Sequence, residues 1–231
     1  MITAFQAVDS GSNPGWCTIY KMKRINLLQD LGVNFFNKYL NHRFNIEYDG
    51  LENLIYFPRS NTLLLPKHQH ILDILLEGMI LKKAGQRGYF LMKGSLPKTL
   101  DFFGGIVIIR PKKINRYSKR GKKQIEKAKQ QRDKAYQTIL HYLPNYRDTI
   151  VIHPEQTRHY HEIGYIKDSL LTKLIHLQDS LICPITFVPL DIKYSSLEKG
   201  ANITLSLKPA IQTNSVQELG GYLRQSIMLF E

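Results

Sequence analysis

Cysteine is almost missing from this chain: Cys17 and Cys183 are the two in 231 residues. So few thiols, so far apart, exclude a disulfide scaffold and suit a reducing compartment, and neither is placed as a metal pair or an evident nucleophile. Long apolar runs are also missing. The strongest, such as Gly105–Ile109, fall far short of the roughly 20 residues that span a bilayer. Met1–Ser10 has no charged start leading into an apolar stretch, so neither a transmembrane helix nor a cleaved signal is expected. Acids are scarce, with 19 Asp and Glu against 32 Lys and Arg. Rings are scarce where the cations crowd: between Lys112 and Arg132, Tyr117 stands alone. The aromatic platform on which single-stranded nucleic acid stacks is therefore absent from the basic segment.

What is present suffices for a packed core. Apolar residues make up 43%, ample for one domain with a small appendage. We divide the chain into an N-terminal tail and amphipathic segment, residues 1–43, and a main domain, residues 44–231. The formal charge of +13 is concentrated: Arg110–Lys134 holds twelve Lys or Arg against Glu126 and Asp133. Such a block attracts polyanions, whether anionic lipid, nucleic acid or an acidic carrier protein, and it equally describes a solvated helix face.

Periodicity alternates between strand and helix, the pattern of an α/β fold. Asp9–Gly15 reads as loop. From Lys21 to Leu40, Ile25, Leu28, Leu31, Phe35 and Tyr39 recur at helical spacing behind Lys21, Lys23 and Arg24, forming an amphipathic helix that faces either the core or an anionic membrane. Phe44–Tyr48 and Leu54–Phe57 read as short strands. Thr62–Leu65 is a buried strand, followed by a helix from Ile71 to about Ala84. Tyr89–Met92 and Ile106–Ile109 are further strands. A helix through the basic block carries the seam Ile125, Ala128, Ala135, Ile139 and Tyr142 and ends at Leu143-Pro144. Then come a strand at Thr149–Ile152, a helix at Leu170–Leu177, a strand over Leu181–Ile192 interrupted by Pro184 and Pro189, and an alternating strand at Asn202–Leu207. Ser215 and Glu218 form a capping box opening a last helix with Val216, Leu219, Leu223, Ile227 and Phe230 inward.

The stretch Asn61–Glu77 combines strand, turn and helix, with His68 and His70 in the turn and Asp73 just beyond. On one continuous helix, residues five apart stand about 140° from each other, because each turns by roughly 100°. If His68 instead lies in the turn, the Asp73 carboxylate can reach back to one imidazole nitrogen and leave the other as a base. The simpler alternative is that Asp73 only favours the helix N-terminus. Lys93 and Arg110 end two strands, and two cations converging at strand ends suit an anionic ligand such as phosphate. A third strand end opens into His153-Pro154-Glu155-Gln156-Thr157-Arg158, where Glu155 can accept from a hydroxyl and Arg158 donate to a phosphate. The following His159–Glu162, HYHE, lacks the spacing of a zinc site, so no metal is expected.

Four blocks in one order carry a resemblance: KHQHILD at Lys67–Asp73, FFGGIVIIR at Phe102–Arg110, HPEQTR at His153–Arg158 and ICPITFVP at Ile182–Pro189. Together they resemble the 1-acyl-glycerol-3-phosphate acyltransferase family of the glycerolipid acyltransferase superfamily, and Leu51–Leu54 is similar to its lead-in. The resemblance covers roughly Glu47–Tyr194. It implies a mixed, mostly parallel sheet flanked by helices, with His68 as general base, Asp73 orienting it, Lys93 and Arg110 on the acceptor's phosphate, and Glu155, Thr157 and Arg158 completing the acceptor site. Lys67, His153 and Gln156 depart from the family's asparagine, phenylalanine and glycine. The implied reaction moves an acyl group from acyl-CoA or acyl-carrier protein, without a cofactor, to lysophosphatidate in phospholipid biosynthesis. It would take place on the inner face of an anionic membrane, the enzyme being peripheral and cytoplasmic, with no nucleic-acid partner. Two alternatives stand beside it: a same-fold acyltransferase acting on another polar lysolipid, and a non-catalytic basic module binding lipid or nucleic acid.

Overall fold

The computed structural model describes residues 30–55, 61–67, 69–70, 72–93, 104–108, 118–144, 148–154, 169–178, 181 and 183–228. Among them, helix α1 covers 30–43. It is followed by β1 (Asn45–Asp49), α2 (Glu52–Ile55), β2 (Asn61–Pro66), α3 (Asp73–Lys83), β3 (Arg87–Lys93) and β4 (Gly105–Ile108). The chain continues through α4 (Lys119–Tyr142), β5 (Asp148–Val151), α5 (Ser169–Leu177), β6 (Ile185–Tyr194), β7 (Asn202–Leu207) and α6 (Val216–Met228).

The strands form one seven-stranded sheet in the order β1-β7-β6-β2-β5-β3-β4. β2 to β6 all run parallel, β7 is antiparallel to β6, and β1 is parallel to β7. The sheet is thus mixed and mostly parallel, as expected. β2 lies in the interior between β6 and β5, and all six of its residues are buried. An unbroken apolar run is what such a strand requires, because both of its faces are covered.

Alternation along the strands feeds two cores. Leu63, Leu65, Tyr89, Ile150, Ile152 and Phe187 pack with Ala135 and Ile139 of α4, Leu171 and Leu174 of α5, and Leu219 and Leu223 of α6. On the opposite face Leu64, Phe90, Val151, Val188 and Leu190 meet Leu40 of α1, Leu54 of α2 and Leu76, Met79 and Ile80 of α3. α1 and α4 therefore cover opposite faces of the sheet.

Two local expectations change, and one alternative that was left open is decided for the described residues. Leu54 and Ile55 are helical, not extended: Gly50 (φ 69°) ends β1, Asn53 N donates to Gly50 O at 2.9 Å, and the Asn53 amide donates to Leu207 O at 3.0 Å. A four-residue apolar run has no period that separates the two forms; Phe57 lies outside the described residues. Pro189 does not interrupt β6. Phe187 exchanges both main-chain bonds with Ile211, and Pro189 O accepts from Lys208 N at 2.9 Å. Pro189 points its nitrogen the same way, toward chain that has already left the β7 ladder, so no N–H is required there. In α1 the expected stripe is outward: Leu31, Phe35 and Tyr39 are 56%, 69% and 49% exposed, while Leu40 is fully buried. Ile25 and Leu28 lie outside the described residues.

The expected capping box is half formed. Ser215 Oγ accepts from Glu218 N at 3.3 Å, but the Glu218 carboxylate takes the Thr213 hydroxyl, which in turn accepts from Ser215 N at 3.1 Å. Leu219, Leu223 and Ile227 point inward as expected, and Phe230 lies outside the described residues.

Candidate functional site

Because β2 to β6 are parallel, their carboxyl ends share one edge of the sheet, where ligands of open α/β sheets gather. Each block singled out in the sequence leads to that edge. β2 stops one residue short of Lys67, β5 leads into His153-Pro154, and β3 ends on Lys93. β3 and β4 are parallel neighbours with Lys93 opposite Ile108, two residues before Arg110. The paired glycines between them include Gly104, whose φ of 83° favours glycine and whose carbonyl accepts from Phe90 N at 2.9 Å. Lys93 is placed by its backbone. His68, Arg110, Glu155, Thr157 and Arg158 lie outside the described residues, as do Gln156 and His159–Glu162.

Asp73 is the one expected site residue whose side chain is described, and it is fully buried. It is the first residue of α3, so His70 precedes the helix. Its Oδ2 accepts from Gln69 N and from His70 N, both at 2.7 Å, and its Oδ1 accepts from the Tyr194 hydroxyl at 2.5 Å. The carboxylate thus reaches back across the turn that begins after His68 and ties it to the end of β6. Among the described residues, two main-chain N–H groups and one hydroxyl donate to it. Burial, and then the nearby Asp73 carboxylate, push the Tyr194 hydroxyl well above the ordinary tyrosine range. His70 serves the turn: its Nδ1 accepts from Leu72 N at 3.2 Å, which sets the tautomer and occupies that nitrogen.

The N–H groups near the helix start are largely engaged within the turn. Gln69 and His70 donate to Asp73, Leu72 donates to His70, and Asp73 donates to His70 O. They are committed to holding the turn in shape.

Two of the residues by which the chain departs from the motif interact with buried acids. His153 Nε2 lies 2.9 Å from Glu77 Oε1, and Glu77, one helical turn beyond Asp73, is completely buried. Lys67, also buried, acts on Asp191 of β6. Burial raises the Asp191 carboxyl above its ordinary range, against the opposing pull of Lys193, Lys208 and Lys67. Glu77 was legible in principle, since an acid among Leu76, Gly78, Met79 and Ile80 breaks an apolar helix segment. Tyr194 gave no local signal, because it meets Asp73 across 121 residues of sequence.

The chain matches no protein-family model and no curated protein. Among the described residues, no three of His, Cys, Asp or Glu gather as metal ligands, and no helix is long and apolar enough to cross a membrane. α4 carries its charge outward, as expected. Lys122, Lys123, Lys127, Lys129, Arg132 and Lys134 are exposed while Ala128, Ala135 and Ile139 are buried. Tyr142 stacks on Tyr89 with ring centroids 3.9 Å apart.

Proposed function

We propose that this protein is an O-acyltransferase that moves a fatty acyl group from a thioester donor to the free hydroxyl of lysophosphatidate. The observation that carries the reading is Asp73. A fully buried carboxylate bonded to the main chain of the two residues 69 and 70 is an orienting group for the turn that starts at His68, and more than an ordinary helix-start acid. The motif resemblance and the shared edge of β2, β3, β4 and β5 support the rest.

In this reading His68 removes the proton from the acceptor hydroxyl as its oxygen attacks the thioester carbonyl. The new C–O bond forms, the C–S bond breaks, and the departing thiolate takes the proton from the imidazolium. No covalent acyl-enzyme and no cofactor is needed. Lys93, Arg110 and Arg158 hold the acceptor's phosphate, while Glu155 and Thr157 orient its polar backbone. The exposed stripe Leu31, Phe35 and Tyr39, with exposed Lys38, His42 and Arg43 beside it, supports a peripheral seat on anionic lipid at the cytoplasmic face.

The test is acylation of lysophosphatidate by the purified chain with anionic vesicles, using acyl-CoA and acyl-carrier protein in turn, beside His68→Ala. Turnover that falls at least a thousandfold in the variant is expected. Equal turnover in both proteins, or none with either donor, would reject the assignment.

A further inference from the structure

Asp73 and Glu77 lie one turn apart on α3, and both are fully buried, but their surroundings differ. Asp73 spreads its charge over two main-chain N–H groups and a hydroxyl. Glu77 has a single hydrogen-bond partner among the described residues, His153 at 2.9 Å, and its Oε2 is buried without one. An ionised carboxylate out of water, facing a neutral imidazole, would be an uncompensated buried charge, which costs several kcal/mol. A buried carboxylate whose single hydrogen-bond partner among the described residues is an imidazole is compensated best when that imidazole carries the opposite charge. His153 retains 12% exposure against none for Glu77, so the positive charge of an imidazolium has access to solvent while the carboxylate supplies its counter-charge.

The imidazole also stands at the edge where the site lies. Ile152 N still bonds Leu64 O at 3.0 Å, and β2 and β5 pair Leu64 with Val151. Continuing that register sets His153 beside Pro66, just before Lys67 and His68. The other titratable groups near the pair among the described residues are Asp73 on α3 and Tyr194 on β6, whose hydroxyl feels both carboxylates. Lys67 acts on Asp191 of β6.

From this geometry we infer that Glu77 holds His153 as an imidazolium, and that this cation is a further contact for the phosphate monoester of the acceptor. The inference rests on the phosphate-acceptor reading above and deepens it: acceptor affinity becomes pH-dependent through a residue on which the motif itself makes no demand. Where the motif carries a phenylalanine, this chain has a charge that is present at neutral pH and lost in alkali.

The test uses the full-length 15N-labelled chain with glycerol 3-phosphate as the probe. The His153 ring nitrogens, assigned by their loss in His153→Gln, are followed from pH 6 to 10. Both nitrogens are expected to be protonated at pH 7.5, with a titration midpoint above those of the other seven histidines. Saturating probe should raise that midpoint by about one unit, the linkage of an approximately tenfold affinity difference between the two protonation states. Glu77→Gln should lower it. A neutral His153 at pH 7.5 in the wild-type chain, or probe binding that leaves the midpoint unmoved, would overturn the role of the pair while leaving the acyltransferase reading intact. No perturbation of any resonance by the probe would overturn the phosphate-acceptor reading itself, and this inference with it.

Discussion

Helices α3 and α4 handle charge in opposite ways. α4 dominates the composition, yet the cations along it from Lys122 to Lys134 are exposed and its buried seam is the neutral Ala128, Ala135 and Ile139. α3 has two acids, Asp73 and Glu77; both are fully buried, and each has a partner from a distant strand or strand end. Two unit charges 4 Å apart interact by about 1 kcal/mol in bulk water and by about 4 kcal/mol at an effective dielectric near 20. The charge that is conspicuous in the sequence is thus the weakly acting one, and the two inconspicuous acids organise the edge of the sheet.

The sharpest way to break this contrast is Asp73→Asn. The amide has one acceptor oxygen where the carboxylate has two, so it turns a donor toward either the Tyr194 hydroxyl or the N–H groups of Gln69 and His70. Hydrogen bonds to a charged acceptor contribute about 1.5–3 kcal/mol each, so urea unfolding should show a loss of about 3 kcal/mol or more. Acyl transfer should fall at least a hundredfold with it. A stability loss below about 1 kcal/mol would mean that the buried charge of α3 is no organiser.

Tyr194→Phe should have an intermediate effect, about 1.5–3 kcal/mol for one charge-assisted bond. It also carries a pH signature. The folded chain holds the Tyr194 proton more tightly than the unfolded chain, whose tyrosine titrates near 10.0. This contribution is therefore complete below pH 10.0 and is lost as the pH rises above it. Thermal melts between pH 8 and 11.5 should fall less steeply in the variant. Some fall remains, because Tyr48, Tyr89 and Tyr142 are shifted in the same direction.

The smallest effect on stability is expected at α4. Lys122→Gln with Lys123→Gln should change unfolding by no more than about 0.5 kcal/mol. Vesicle sedimentation then separates the two surfaces. Since α1 and α4 lie on opposite faces of the sheet, Phe35→Asp should abolish binding to anionic vesicles, whereas the α4 double variant should weaken it no more than severalfold. The reverse order would make α4 the docking surface.

Much of this architecture was readable from the order of residues. The apolar run of β2, the alternation of β7 and the neutral seam of α4 each follow a local period, and local periods survive into the fold because one face of each element must leave water. The same logic failed where a period had too few residues to act on, as at Leu54, and where two apolar stripes competed on α1. There Leu40, with Phe44 just past the helix end, reaches the sheet while Leu31, Phe35 and Tyr39 remain outside. The strand ends that carry Lys93 and His153-Pro154 were legible as separate signals, but that they share one edge was not, because strand order is set by crossovers and leaves no local trace.

The sequence by itself determined that this chain forms an alternating α/β fold, which segments would be buried, and where its polar turns would fall, since each depends on neighbours within a few residues. Only the tertiary structure decided that Tyr194 grips Asp73, that Glu77 grips His153, and that the basic helix lies across the sheet from the exposed stripe. Each of those contacts is made between elements far apart in the chain, and it takes its strength from the exclusion of water that only the assembled sheet and helices provide.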